Sequence, residues 1–449
     1  MKKILVIGSG RSSTSLIKYL LDNSELEKWT ITVVDFNLKL AESKIDNHPN
    51  GFSFQLDANN DVKRREFIQS SDVVISMLPA HMHFRVLKDS VDCGVHVITP
   101  SYITDEIRTL NEDALKNNVL VLNELGLDPG IDHMSAKKLI DQYLDLIQVK
   151  AKGGEVKGFE SYTGGLVAPE SDNNPWNYKF TWNPRNVVLA GQGGSAKFIK
   201  EGKYKYIPYH KLFRRTDIID VPGYGKFEGY PNRDSLKYRS IYELDNISTM
   251  YRGTLRKVGF CRAWNIFVQL GATDDSYIIE GSENMTNREF INSFLKFNTH
   301  DSVELKLRHY LRIEQDDYMW EKLVWLGIFE DRKIGLKDAS PAQILQKILQ
   351  DKWTLSPQDK DMIVMWHRVT YKLDKIEKRL ISHMAYIGKD SNLTAMSDTV
   401  GLPLGIATKM LLNGSIKTRG VVLPLDKEIY DPVLKELKLY GVDFVEQEK

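Results

Sequence analysis

The stretch that decides the fold is KILVIGSGRSS, which occupies residues 3–13. Its first, mostly apolar half predicts a buried strand, and its glycine-containing half predicts a tight turn. An amphipathic segment follows, with Leu16, Ile17, Leu20 and Leu21 at helical spacing. Strand, glycine turn and helix in this order predict the start of a parallel α/β domain.

A second apolar run at residues 31–34 ends in the acidic residue Asp35. Together with the first stretch it matches the fingerprint of dinucleotide-binding domains. In that fingerprint Gly8 allows the turn and Gly10 lets the backbone approach a pyrophosphate. The helix that begins near Arg11 directs unpaired N–H groups at the same anion. Asp35 is then placed to accept hydrogen bonds from ribose hydroxyls.

The fingerprint is incomplete, because Ser13 stands where a third glycine is common. Serine is small enough to keep the helix and the strand close. The alternative is a parallel α/β domain whose loop binds nothing. The correct order of strand, turn, helix and acid favours dinucleotide binding.

Composition excludes several classes of protein. The 449 residues predict about three domains, and 42% hydrophobic with 27% charged residues is ordinary for a globular protein. A net charge of +1 indicates neither a nucleic-acid surface nor a polybasic membrane patch. Cys93 and Cys261 have no metal-ligand spacing, so we expect no metal and no disulfide. The apolar run that ends at Ile7 is too short for a secretion signal, and we expect a cytoplasmic protein without membrane spans.

Helices and strands continue to alternate up to about residue 122. The predicted helices are 38–45, 62–68, 84–91 and 103–115, and the predicted strands are 51–56, 72–79, 95–99 and 119–122. This alternation predicts an open, doubly wound parallel sheet, which binds ligands beyond the carboxyl ends of its strands. Six segments follow those ends and should line one crevice: 8–11, Asp35, Asp57, Leu78-Pro79, 99–102 and 124–128.

The pattern changes near residue 150. Aromatic segments that favour strands (159–162, 178–182, 204–209 and 238–242) predict a second domain with a mixed sheet. Helical patterns at 289–297, 303–312, 317–326 and 341–348 predict a small helical insertion. Two further strands, 361–371 and 381–386, should return to the mixed sheet, and helices at 391–412 and 430–441 end the pattern.

Candidate chemistry begins with residues 124–133, ELGLDPGIDH. Asp128 could cap a helix that has Pro129 at its first position. Its place at a strand's carboxyl end favours a carboxylate that moves protons during a redox step. His133 is more simply a hydrogen-bonded histidine on the helix face than a catalytic one.

Glycines and arginines mark the candidate substrate segments. Gly164 and Gly165 permit close backbone approach or are loop filler. Arg233 and the segment 252–256 place arginines beside loop-forming residues, where they favour carboxylate binding over solvated surface charge. These residues predict a dinucleotide enzyme with an anionic substrate.

The same phrases resemble the glutamate-forming saccharopine dehydrogenase (saccharopine reductase) family. The resemblance covers nearly the whole chain; its phrases lie at residues 8–13, 76–79, 101–104, 124–133, 162–170, 173–175, 179–180, 229–235, 252–256, 360–365, 395–396, 399–403, 409–414 and 427–430. It implies reversible, nicotinamide-dependent conversion of saccharopine to glutamate and 2-aminoadipate 6-semialdehyde through an imine.

The resemblance also implies roles for individual residues. Asp128 is the first candidate for proton transfer and Tyr102 a second, with His133 weaker. The implied substrate-binding residues are Ser101, Tyr102, Asp128, Thr163, Arg233, Thr254, Leu255 and Arg256. The implied cofactor-binding residues are Gly8, Ser9, Gly10, Arg11, Ser12, Ser13, Asp35, Asp57, Leu78 and Pro79. Thr163 is a departure, since members often carry a cysteine there, so a proton-shuttling role at this position is not expected.

Asp35 favours NAD, because its charge would repel the 2′-phosphate of NADP and no arginine follows directly; NADP stays possible. The resemblance implies a homodimer and three domains: residues 1–125 with about 389–449, about 126–285 with about 353–388, and a helical domain at about 286–352. The expected fold is an N-terminal Rossmann-like parallel sheet, a mixed α/β substrate and dimerisation domain and the helical insertion. The alternatives are a carboxynorspermidine- or homospermidine-type imine reductase and a dinucleotide sensor without turnover.

Overall fold

A computed structural model of the chain describes residues 1–145, 153–373 and 375–449. In chain order the strands are β1 Lys2–Ile7, β2 Trp29–Asp35, β3 Gly51–Gln55, β4 Val73–Ser76, β5 His96–Ile98, β6 Leu120–Leu122, β7 Glu155–Val167, β8 Ala196–Lys200, β9 Lys203–Ile207, β10 Asp217–Val221, β11 Gly225–Pro231, β12 Thr249–Lys257, β13 Asp361–Leu373, β14 Ile376–Ile387, β15 Gly420–Val422 and β16 Val445–Glu448.

The α-helices of the described residues are α1 Thr14–Glu27, α2 Leu38–Ile45, α3 Asp61–Gln69, α4 His83–Asp92, α5 Asp105–Arg108, α6 Asn111–Lys116, α7 Ile131–Asp145, α8 Pro184–Val188, α9 Tyr209–Leu212, α10 Tyr238–Ile241, α11 Phe260–Leu270, α12 Asn287–Ser293, α13 Val303–Leu311, α14 Tyr318–Trp325, α15 Pro341–Trp353, α16 Ala395–Leu412 and α17 Lys427–Leu439.

The chain forms two compact units: residues 1–153 with 384–445, and residues 154–383 with 446–449. Each unit is described by itself. The three-domain division stays a prediction.

The first unit contains a parallel sheet with strand order β15-β6-β5-β4-β1-β2-β3. The order reverses beside β1, so the ends of β1 and β4 lie at the point where such sheets bind ligands. Isoleucine, leucine and valine side chains of β1, β4 and β6 are almost wholly buried, as expected for strands covered on both faces.

Helix α16 packs directly on α1, the helix that follows the glycine turn. A Cβ atom on Gly401 would lie 2.6 Å from the Leu16 backbone nitrogen, and one on Gly405 would lie 2.4 Å from the Tyr19 ring. The two helices therefore approach each other at the glycines. The predicted end of α16 is confirmed, with Asn413 as C-cap and Gly414 at a φ of 81°.

The second unit contains a mixed sheet with the order β10-β11-β12-β7-β13-β14-β16, and β8 pairs with both β12 and β9. The long strand β7 is parallel to β12 and antiparallel to β13. The helices between α11 and α15 share one hydrophobic core with Trp176, Tyr178 and Phe180. The predicted α/β fold, with a parallel sheet, a mixed sheet and a helical segment, is confirmed.

Three local predictions are wrong. Residues 103–115 form two short helices, because Thr109 and Leu110 make tight i−3 hydrogen bonds that end α5. Residues 238–242 are helical, with the Tyr242 N–H donating to the Tyr238 carbonyl at 3.0 Å, and 178–182 contribute only an isolated bridge at Phe180.

None of the described helices has the length and apolarity to cross a bilayer.

Candidate active site

The glycine turn after β1 has the geometry that the sequence predicts. Gly8 has a φ of 102°, and a Cβ atom there would lie 2.9 Å from the Met77 carbonyl oxygen, so a side chain at this position would meet backbone. Gly10 is exposed, with nothing within 4 Å of an added Cβ. The turn thus leaves open backbone in front of α1, whose N-terminal N–H groups suit a pyrophosphate.

The small residues of the turn are held by local hydrogen bonds. Ser13 is buried and its hydroxyl donates to the Gly10 carbonyl at 2.8 Å, which explains why serine replaces the third glycine without opening the turn. Ser12 is half-buried, and Arg11 is exposed at the start of a short 3₁₀ helix that leads into α1. These residues therefore fit a dinucleotide phosphate.

Asp35 lies at the end of β2 and is tied to the glycine turn. One carboxylate oxygen accepts from the backbone N–H and the hydroxyl of Ser9, at 2.7 and 2.9 Å. The other accepts from the Asn37 N–H at 2.8 Å. Asp35 is half-buried. It therefore holds the turn in place, and its half-buried carboxylate lies at the carboxyl end of β2.

The other predicted cofactor residues follow strand ends of the same sheet. Asp57 is exposed and accepts from the Asn59 N–H at 2.9 Å. Leu78 is half-buried and Pro79 exposed, just after β4. All of them lie beyond the carboxyl ends of parallel strands, as the topology predicts.

Sequence interpretation missed a buried histidine behind the Leu78-Pro79 turn. His83 Nδ1 lies 2.9 Å from the Ser76 hydroxyl and 3.2 Å from the Thr99 hydroxyl. Burial lowers the pKa of His83 to about 4, although a hydrogen bond to the Leu78 backbone opposes the shift. The ring is thus neutral at physiological pH and links the ends of β4 and β5. Its spacing of seven residues from Ser76 gives no recognisable motif.

The 124–133 turn carries the acid–base candidates. Asp128 is half-buried and its carboxylate accepts from the Tyr102 hydroxyl at 3.1 Å. Ser101, the neighbour of Tyr102, is also half-buried. The helix-cap interpretation of Asp128 is wrong, because α7 begins at Ile131. Asp128 and Tyr102 therefore form a hydrogen-bonded pair that borders the crevice edge of the sheet.

His133 is a hydrogen-bonded histidine of the interior. Its Nε2 lies 2.8 Å from a Glu124 carboxylate oxygen, and the other oxygen accepts from the Ile103 N–H at 2.9 Å. Both side chains are buried. This contact supports the structural interpretation of His133: it fixes the Tyr102 and Asp128 segments against each other.

Asn123 is a second candidate that the sequence did not reveal. It follows β6 directly, its side chain is fully buried, and neither amide atom has a hydrogen-bond partner among the described residues. An unpaired buried amide costs about 1–3 kcal/mol, so its place beside the Glu124 turn indicates a group that a bound molecule or water satisfies. A lone asparagine after a strand gives no sequence signal.

Some of the predicted substrate residues of the second unit lie on the same face of its sheet. Thr163 of β7 is in register with Thr254 of β12, and paired residues point to the same side. Arg256, two residues further along β12, points to that side as well, whereas Leu255 is buried on the opposite one. Thr163, Thr254 and Arg256 therefore form one polar row.

Arg256 is a buried cation. It is 5% exposed, and its guanidinium carbon lies 5.2, 5.5 and 5.9 Å from the ring centres of Tyr178, Phe260 and Tyr230. One Nη donates to the Leu255 carbonyl at 2.8 Å, but Nε has no partner. Desolvation acts to lower the Arg256 pKa, but Tyr230, Tyr178 and Cys261 together outweigh it and the pKa is raised.

No carboxylate among the described residues pairs with Arg256. Glu228 faces it across the strand pair, but its two oxygens accept from the Gly259 and Cys261 N–H groups at 2.7 and 2.9 Å. A buried cation without a counter-ion is unfavourable, and Arg256 is therefore a strong candidate for a substrate carboxylate. Arg233, in contrast, is exposed, with a φ of 49°.

In a comparison with known proteins, both halves of the chain match models of one protein family. Residues 4–122 match the model of the saccharopine dehydrogenase NADP binding domain, and residues 126–442 match that of the saccharopine dehydrogenase C-terminal domain. The chain belongs to the saccharopine dehydrogenase family. The resemblance on which the sequence interpretation rested is thus confirmed.

Full-length members of the saccharopine dehydrogenase family are similar throughout. The L-glutamate-forming, NADP(+) saccharopine dehydrogenases of Schizosaccharomyces pombe and Saccharomyces cerevisiae are 32% and 33% identical, with at least 98% of each chain covered. The solved apo enzyme from Saccharomyces cerevisiae matches with a TM-score of 0.88, covering both chains completely. Rat mitochondrial alpha-aminoadipic semialdehyde synthase is 34% identical over 99% of this chain, which spans about half (47%) of that longer protein.

Proposed function

We propose that the chain is a glutamate-forming saccharopine dehydrogenase. The observation that carries the proposal is the match of both halves, over their full length, to fungal enzymes of that name. Family membership supports a nicotinamide-dependent oxidoreductase. The geometry of each unit suggests how its own residues contribute.

The reaction requires a base before hydride leaves. The secondary amine of saccharopine is protonated in water, and it must lose that proton before its neighbouring C–H bond breaks. We assign the proton to a carboxylate oxygen of Asp128, with the Tyr102 hydroxyl 3.1 Å away as its hydrogen-bond donor. When bound, the nicotinamide accepts the hydride. Water then adds to the imine, and C–N cleavage gives glutamate and the semialdehyde.

The three carboxylates of saccharopine require cationic and polar partners. We assign one carboxylate to the buried Arg256, with the hydroxyls of Thr163 and Thr254 on the same sheet face. Arg233, Ser101 and the Leu255 backbone complete the proposed set. Thr163 serves only as a hydrogen-bonding group, since its hydroxyl does not ionise as a thiol does.

The names of the relatives and the residue at position 35 point to different cofactors. Their names carry NADP(+), and the matching family model describes an NADP binding domain, so the relatives favour NADP. Asp35 gives an opposing physical argument, since its carboxylate would repel a 2′-phosphate and Phe36-Asn37 follow it. We propose that this chain accepts NAD better than NADP.

One spectrophotometric experiment tests the reaction and the cofactor together. Saccharopine is mixed with purified protein and either NAD or NADP, and reduced nicotinamide is followed at neutral to alkaline pH. We expect turnover of saccharopine, with the higher kcat/KM for NAD. Turnover of carboxynorspermidine or homospermidine but not saccharopine would reject the substrate. Binding of reduced cofactor without any turnover would indicate a dinucleotide sensor.

The expected homodimer and the cytoplasmic location stay predictions. Light scattering coupled to size-exclusion chromatography measures the mass directly, and a value near 51.6 kDa would reject the dimer.

A further inference from the structure

A cavity lies within the unit of residues 154–383, and Glu228, the cross-strand neighbour of Arg256, forms part of its wall. Its volume is about 440 Å³, within the range of small-molecule sites. One wall is helix α11, and the segment between α13 and α14 forms another. Its lining residues include none of those assigned to saccharopine or to the dinucleotide.

Three arginines line this cavity: Arg214, Arg262 and Arg312. None of them forms an ion pair with a carboxylate of the described residues, and the Arg262 guanidinium carbon lies 5.8 Å from the ring centre of Tyr318. The carboxylate at the wall is Glu228, which is already bound to two backbone N–H groups at the start of α11. The cavity therefore has an excess of positive charge and a set of guanidinium donors suited to carboxylates.

Asn265 adds a need for a hydrogen-bond donor. It lines the same cavity one turn after Arg262 on α11, is 4% exposed, and its side-chain carbonyl oxygen has no partner among the described residues. A buried acceptor of this kind is costly unless a ligand or water donates to it. An amide beside guanidinium groups matches a molecule that carries both a carboxylate and a hydroxyl or amine.

We propose that this cavity binds a small hydroxy- or amino-dicarboxylate through residues that are not assigned to saccharopine. The arginines take the carboxylates, and the Asn265 carbonyl accepts from the hydroxyl or amine. The cavity also has apolar walls, including Ile266 and Met319, which suit a short carbon chain. The proposal goes beyond saccharopine turnover and does not depend on it.

Calorimetric titration of the full chain tests the proposal with L-malate, succinate and inorganic phosphate as probes at constant ionic strength. The titrations are made with and without saturating reduced cofactor. We expect saturable binding of malate in both cases, and at least 10-fold weaker binding of succinate, which has no donor for Asn265. Tighter binding of phosphate than of malate, or no saturable binding of malate, would overturn the proposal.

Variants locate the bound malate. Arg262→Gln and Arg214→Gln, both at exposed positions, should each raise the dissociation constant of malate at least 10-fold and leave the kcat for saccharopine unchanged. The matched control is Arg308→Gln on α13, where the arginine pairs with Glu314 outside the cavity; it should leave malate binding unchanged. Equal malate affinity in wild type and both cavity variants would refute the site.

Discussion

At the scale of single residues, we assign two roles to the carboxylate of Asp35. It accepts three hydrogen bonds that hold the glycine turn and the start of α2, and in the proposed cofactor site it supplies the negative charge near the ribose. A substitution there will change cofactor choice and turn geometry together. The two effects separate when charge and hydrogen bonding are altered in different variants.

Asp35→Arg should reverse cofactor preference. It replaces repulsion of a 2′-phosphate with attraction, so the ratio of kcat/KM for NAD to that for NADP should fall at least about 10-fold, equivalent to about 1.4 kcal/mol. Asp35→Asn is the matched control, because it removes the charge but keeps one acceptor for Ser9. An unchanged ratio in the arginine variant would remove Asp35 from the ribose site.

His83 makes stability depend on pH. Its pKa is about 4 in the folded chain, against 6.5 for an ordinary histidine, because burial disfavours the charged ring. As pH falls from 6.5 towards 4, the unfolded chain takes up a proton on His83 that the folded chain does not. The free energy of unfolding therefore decreases through this window, and the full contribution of His83 is present above pH 6.5. The contribution is on the order of 3 kcal/mol.

His83→Gln keeps hydrogen-bonding atoms but cannot titrate. Compared with wild type, its free energy of unfolding, measured by urea denaturation at several pH values, should fall less between pH 6.5 and 4. His309→Gln, at an exposed position on α13, should follow the wild-type curve. Parallel pH curves for wild type and His83→Gln would show that the ring is not held neutral.

At the scale of elements, the contact between α1 and α16 joins the cofactor turn to the C-terminal part of the first unit. Ser15 at the start of α1 donates to Asp398 of α16 at 2.5 Å, and the Tyr386 hydroxyl donates to the same carboxylate at 2.6 Å. All of the groups are wholly or partly buried. The helix that follows the glycine turn is therefore positioned by residues almost 400 positions away in the sequence.

Gly401→Ala should destabilise the protein by about 1–3 kcal/mol, because the new methyl group meets the Leu16 backbone at 2.6 Å. Chemical denaturation without cofactor measures the loss. Gly10→Ala is the counterpart: its φ is −64° and nothing lies within 4 Å, so stability should stay unchanged while affinity for the dinucleotide falls. Equal stability of Gly401→Ala and wild type would mean that the helices are less closely packed than the structure indicates.

Elements were predictable where local pattern and fold agree. The strands and helices of the first unit follow from apolar runs and helical spacing. The short 3₁₀ turns and left-handed helix ends change their bounds only slightly. The failures lie where tertiary packing decides: Tyr238 and Tyr242 favour a strand by residue type, yet they lie on a helical turn with their ring centres 5.9 Å apart. His83 and Asn123 could not be predicted from the sequence either. Their importance depends on which groups the neighbouring strand ends place beside them, and only the folded structure shows that.

At the scale of the whole molecule, the residues of the proposed site belong to two different units of the chain. The glycine turn, Asp35, Tyr102 and Asp128 belong to the first, whereas Thr163, Thr254 and Arg256 belong to the second. The sequence indicated part of this division, because the dinucleotide fingerprint and the arginine phrases lie on different sides of residue 150, but it placed Asp128 with the substrate domain. The division predicts that cofactor and substrate affinities respond to different substitutions.

Arg256→Met tests that division. The variant removes a buried charge that has no described counter-ion, so stability should be unchanged or higher, as when buried ions are replaced by apolar groups. If a saccharopine carboxylate is the counter-ion of Arg256, the kcat/KM for saccharopine should fall by the equivalent of about 2–5 kcal/mol. The dissociation constant of the reduced cofactor, followed by fluorescence, should stay at the wild-type value, because the proposed cofactor residues belong to the other unit. Arg239→Met, at a half-buried arginine over Tyr204, is the control and should alter neither constant. A wild-type kcat/KM for saccharopine in Arg256→Met would exclude Arg256 as its carboxylate partner, and the exposed Arg233 would then be the remaining arginine of the proposed set.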